Sequence, residues 1–68
     1  MTILINKQTT DSDLSVGMKV CYKDLNGIYS KLGVITDILT DKFGNQNYLI
    51  NTSFGAYTAN ELKLISNN

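Results

Sequence analysis

The chain has no histidine, no tryptophan, no proline and no arginine, and its one cysteine is Cys21. Each absence closes off a kind of chemistry. Without histidine, a general base working near neutral pH would have to be Asp11, Asp13, Asp24, Asp37, Asp41 or Glu61 with a raised pKa. Raising a carboxyl pKa takes burial, and 68 residues enclose one small core with little of it to give. A lone cysteine forms no intramolecular disulfide, no four-ligand zinc site and no two-cysteine redox motif. No glycine-rich phosphate loop is present either. The expectation is a chain that is not an enzyme, with no catalytic residue, no metal, no cofactor and no small-molecule substrate.

Charge is equally uninformative in bulk. Six lysines balance six acidic residues, so no large positive field draws nucleic acid or an anionic membrane. Missing arginine also removes the usual bidentate reader of guanine and phosphate. The opening "MTILI" is apolar but short and has no basic flank, so it reads as neither a signal peptide nor a membrane span. With one cysteine suited to a reducing compartment, the chain is expected to be soluble and cytoplasmic, with no membrane partner.

What is present is the punctuation of a small β protein. Glycines fall at 17, 27, 33, 44 and 55, and the runs between them are short and β-branched or aromatic. In "MKVCY", Met18, Val20 and Tyr22 share one face and Lys19, Cys21 and Lys23 the other, so the first face is the core side and Cys21 is expected at least partly exposed. Residues 24–32, "DLNGIYSKL", hold an Asn26-Gly27 turn signal and read as a long excursion between strands. "GVITDIL" carries apolar groups on both faces, as a strand does that bends or bulges. Gly44 in "TDKFGNQ" supplies the positive φ of a short hairpin loop, and "QNYLI" pairs back with Tyr48 and Ile50 on one face. A second tight turn at "TSFGA" leads to a short strand "AYT". Thr58 and Glu61 fit a capping box that opens one turn of helix, and "LKLI" closes the sheet. Residues 6–15 are polar and read as a loop or linker.

These residues carry a resemblance. Residues 16–38, a hairpin, and then "GAYTANELKLI" resemble the SH3-like barrel: a V-G-x-x-V first strand, a long first loop, a G-V-I strand, two hairpins and a one-turn x-x-E-L helix before the last strand. The resemblance covers residues 16–65 and implies an all-β, five-stranded barrel over 14–66, after an N-terminal extension at 1–13 that adds a strand or a linker, with a tail at 67–68. The G-V-I stretch is similar to the KOW and Tudor-like branches, and the layout resembles stand-alone bacterial or phage barrels that dock onto larger partners. The Asn-, Ile-, Lys- and Thr-rich composition also resembles that of proteins from AT-rich bacterial or phage genomes. Peptide-binding SH3 domains match less well, since their groove needs a tryptophan.

Function then follows from unplaced apolar groups. Ile28 and Tyr29 lie in the expected first loop, Phe43 and Phe54 at hairpin turns, and Tyr57 on a short strand, although turns face water. We read Tyr29, Phe43, Phe54 and Tyr57 as contacts to a protein partner or to a second copy, with "MTILI" available for strand addition. The KOW-like resemblance implies a second possibility, nucleic-acid binding through Lys19, Lys23 and Lys31 with Tyr29 stacking a base. The Tudor-like one implies a third, an aromatic cage of Tyr22, Tyr29, Phe43 and Tyr57 around a methylated cation.

Overall fold

A computed structural model describes residues 2–67. Met1 and Asn68, the outermost residues of the expected extension and tail, lie outside the described residues. Six strands form one antiparallel sheet: β1 (Thr2–Leu4), β2 (Lys19–Lys23), β3 (Tyr29–Thr40), β4 (Gln46–Ile50), β5 (Ala56–Tyr57) and β6 (Leu62–Asn67). Two single 3₁₀ turns, Asp11–Asp13 and Ala59–Glu61, complete the described elements. The strand order is β1-β6-β2-β3-β4-β5. The all-β expectation and the one-turn helix before the last strand are met, but the sheet has a sixth strand and does not close. At one edge β5 offers only two residues before the chain leaves for the 3₁₀ turn, too little backbone for a closing ladder. Among the described residues no helix is long and apolar enough to cross a membrane.

Two hairpins are built by one device used twice. Asp24 and Asp41 each open an Asp-x-x-Gly turn whose glycine takes positive φ, +78° at Gly27 and +85° at Gly44. The Asp24 carboxylate accepts the amides of Asn26 (2.8 Å) and Ile28 (3.1 Å), and the Asp24 amide donates to the Ile28 carbonyl (2.8 Å). The Asp41 carboxylate accepts from Phe43 (2.8 Å) and Asn45 (2.9 Å) in the same way. The expected long excursion at residues 24–32 is therefore a tight turn over 24–28, with Tyr29 already in β3. The aspartate that satisfies the turn's own amides makes a longer loop unnecessary.

β3 is long because it serves two halves of the sheet. Its pairing with β4 shifts register between Ile35 and Asp37, a bulge that leaves Thr36 extra and keeps both Ile35 and Ile38 against the core. The bend expected of "GVITDIL" is thus present. Leu14, Val20, Tyr22, Ile35, Tyr48, Ile50 and Leu62 form the buried cluster, with Met18, Ile38, Tyr57, Ala59 and Leu64 packed at its margin. Tyr48 and Ile50 do share the buried face of β4.

The N-terminal segment is fastened down. β1 pairs with β6 in the register Ile3 to Ser66 and Leu4 to Ile65, so residues 2–4 add an edge strand to their own sheet. Beyond it, residues 6–15 are not a loose linker: Thr9 is buried, Leu14 joins the core, and Tyr48 donates a 2.7 Å hydrogen bond to Asp11. The Gln46 amide lies 2.9 Å from the same phenol oxygen. A hydroxyl has one hydrogen, so the amide satisfies both groups by turning its NH₂ toward the phenol. Burial, helped by the Asp11 carboxylate, pushes the Tyr48 phenol up to about 12, which keeps it a donor throughout the neutral range.

Cys21 corrects a second expectation. It does share its face with Lys19 and Lys23, yet it is only 2% exposed. β2 lies between β6 and β3, and the cross-strand neighbours of Cys21 are Lys63 and Leu32. A short thiol sits in the trough between such long side chains. Burial raises its pKa, which disfavours the reactive thiolate.

Candidate functional site

A groove of about 730 Å³ lies between the turn at residues 24–28 and the turn at residues 51–55. Its lining includes Tyr22 and Tyr57, Leu25, Leu32, Lys31 and Thr52. The two tyrosine rings pack with centroids 5.1 Å apart at 45°. Their hydroxyls are engaged within the chain: Tyr22 bonds Thr52 through its hydroxyl (2.9 Å) and carbonyl (3.1 Å), and Tyr57 shares a 2.6 Å hydrogen bond with Ser53. The rings, with their polar ends tied off, present mainly carbon. Leu25, in one turn, and Phe54, beside Ser53 in the other, are both fully exposed.

Why the groove exists is legible in the register. β3 has β2 beside it from Tyr29 onward, but its ladder with β4 begins only at Ile35. Between them, at residues 30–33, no strand covers the second edge of β3 among the described residues. The chain after β4 leaves instead through Asn51 and Thr52, which tie themselves to β3 by side chains. Asn51 accepts the Val34 amide at 2.9 Å, and the Thr52 hydroxyl donates to the Leu32 carbonyl at 3.0 Å. Gly33 permits the crossing, since a Cβ there would fall inside the Ile50 Cγ2 methyl and 2.6 Å from the Thr52 hydroxyl.

The residues singled out in the sequence are distributed over three places. Tyr57 lines the groove, whereas Phe54, fully exposed in the turn at residues 51–55, is not part of its lining. Tyr29 is on the outward face of the sheet, its hydroxyl donating to the Asn60 carbonyl (3.3 Å), with the Lys23 and Lys63 ammonium groups 5.2 and 5.7 Å from its ring centroid. Phe43 is in the β3–β4 turn, at the far end of β3 from the groove, and is 77% exposed. The four rings of the expected cage therefore do not converge: only Tyr22 and Tyr57 meet, and they fill each other's faces.

The lysines regroup as well. Lys19 and Lys23 flank Cys21 on the outward face, and Lys63 is directly across from Cys21. Lys31 pairs with Tyr22 and lies on the opposite, groove side. Lys63 and Leu25 were not singled out in the sequence. Leu25 carried the available signal, an apolar residue inside a turn, whereas Lys63 joins Lys23 only through the β2–β6 register.

Three of the acids are held by hydrogen bonds from their own turns. Asp24 is held below the usual carboxylate range by the Ser30 hydroxyl and the turn amides, Asp41 by the Asn45 amide first, and Asp13 by the Thr10 amide and Lys7. A general base near neutral pH needs the opposite shift. Among the described residues no group of three or more potential metal-ligating side chains converges. Comparison with known proteins returns nothing to set beside this geometry: no family model matches the chain, and neither a curated protein nor a solved structure matches it.

Proposed function

We propose that the chain is a non-catalytic docking or assembly module, related in arrangement to SH3-like barrels, that binds a protein partner or a second copy of itself through the groove between its two turns. The observation that carries this reading is the fully exposed Leu25 in the lining of a concavity that also holds the Tyr22 and Tyr57 rings, with Phe54, equally exposed, next in sequence to the lining residue Ser53. Isolated exposed apolar residues are ordinary, but two large ones at the tips of neighbouring turns beside one groove suit a recognition surface. Phe43 and Tyr29 would form separate contacts, remote from this one.

One observation favours nucleic acid as the partner instead. Lys23 and Lys63 bracket the Tyr29 ring, Lys19 shares their face, and the sole ion pair among the described residues, Lys7 with Asp13, lies elsewhere. That face offers positive charge beside an aromatic ring.

Both readings meet in one experiment, recovery of partners by the tagged full chain from its native cells, before and after nuclease treatment. A Leu25→Ser, Phe54→Ser double variant is expected to lose the partner at least about tenfold, as removal of two hydrophobic anchors does, while Tyr29→Ala with Phe43→Ala retains it. Loss after nuclease, or in the second variant but not the first, would transfer the function to the outward face.

A further inference from the structure

The groove is more than a depression, because one of its walls is an uncompleted strand edge. In an antiparallel strand the N–H and C=O of one residue point the same way and alternate with those of its neighbours. The Leu32 carbonyl faces the groove, where Thr52 bonds it, and the Val34 amide and carbonyl face the same side, where both are taken by Asn51. The Ile35 amide faces the other way, donating to the Met18 carbonyl at 3.0 Å. By that alternation the Leu32 N–H opens into the groove, at the stretch of β3 that β4 never reaches.

The side chains around this edge define what could complete it. Leu32 is half exposed on the outward face, and Lys31, beside it, is exposed on the groove side. The acids lining the groove are occupied. Asp24 accepts two turn amides and the Ser30 hydroxyl (2.7 Å), and Glu61 accepts the amide (2.9 Å) and hydroxyl (3.0 Å) of Thr58. Lys31 makes no ion pair among the described residues. The groove thus offers a backbone donor and an ammonium that forms no ion pair within 4 Å, its nearest counter-charge being Asp24, whose oxygens are already held by the turn amides and Ser30.

We infer that the groove binds an extended peptide segment as an added strand along β3 at residues 30–32, with a carboxylate side chain opposite Lys31 and an apolar side chain opposite Leu32. This inference rests on the docking reading above and gives it a partner chemistry. Backbone pairing with the Leu32 N–H sets the register, and cross-strand pairing on each face sets the sequence preference. At about 3.3 Å per residue the open stretch accommodates three to four residues before the two turns close it off. The rings of Tyr22 and Tyr57 and the exposed Leu25 then cover the segment's apolar groups.

The test uses the ¹⁵N-labelled full chain and three capped pentapeptides in which leucine alternates with glutamate, glutamine or lysine. The glutamate peptide is expected to shift the amides of Lys31, Leu32, Thr52 and Tyr57 and to slow hydrogen exchange at Leu32. Its affinity should fall about two- to fivefold with the glutamine peptide or with Lys31→Gln, the size of one solvent-exposed ion pair. The lysine peptide should bind more weakly than either. Equal shifts from all three peptides would overturn the charge preference, and groove shifts without slower exchange at Leu32 would overturn strand addition. If no peptide moves the groove while the Leu25→Ser, Phe54→Ser variant still loses its partner, this inference fails and the docking reading stands.

Discussion

Replacing Tyr48 by alanine is expected to cost about 4 kcal/mol, the range for removing a fully buried aromatic ring from a core that cannot collapse around it. Tyr48 has no exposed surface and serves two parts of the fold: its ring is in the core cluster and its hydroxyl ties the N-terminal segment through Asp11. A chain of 68 residues has a total stability of only about 3–10 kcal/mol. The loss should therefore lower the midpoint of thermal unfolding by roughly 16–32 °C, and it is read directly by circular dichroism. Tyr48→Phe separates the two roles. It keeps the ring, removes the donor to Asp11, and should cost about 1–2 kcal/mol. A Tyr48→Ala midpoint within about 5 °C of the parent would mean that the core is not organised around this ring.

Gly33→Val is the second large effect, expected to cost about 3 kcal/mol by overpacking. The position is not special for its backbone: its φ is ordinary, unlike those of Gly17, Gly27 and Gly44. What it lacks is a side chain where Ile50, Asn51 and Thr52 cross β3. Ile50 is in the buried cluster, so its methyl cannot withdraw without opening the core. Gly33→Ala should cost less, about 1–2 kcal/mol, and both variants should disturb the amide signals of Thr52 and Ser53 more than those of the β3–β4 turn. Unchanged stability in Gly33→Val would show that the crossing which shapes the groove is misplaced.

Those two residues also mark how far the sequence could be read. Alternation placed Val20, Tyr22, Tyr48 and Ile50 on the core side correctly, and the doubled apolar faces of "GVITDIL" signalled the bulge at Thr36. Both are local properties, carried by side chains a few positions apart. Turn chemistry is legible too. The Asp-x-x-Gly pattern at Asp24 and again at Asp41 specifies a short hairpin each time, whereas residues 24–32 read as a long excursion when only the Asn26-Gly27 pair is weighed. Thr10-x-x-Asp13 repeats the threonine-to-acid spacing of Thr58 and Glu61, and it forms a 3₁₀ turn where a loop was expected. Cys21 was placed on the right face, but its burial depends on Leu32 and Lys63 from two other strands. The groove was not legible at all. It needs the offset between the β2–β3 and β3–β4 ladders, a register property that no single segment carries.

The account depends most on that offset, which leaves Leu32 facing an open edge while its neighbours are paired. Amide hydrogen exchange along β3 in the free chain tests it directly. The prediction is an alternating profile in which Gly33 and Ile35, bonded toward β2, exchange slowly and Leu32 exchanges fast. Protection of Leu32 equal to that of Gly33 would mean that a strand of the chain already covers this edge, and there would be no open groove to bind through.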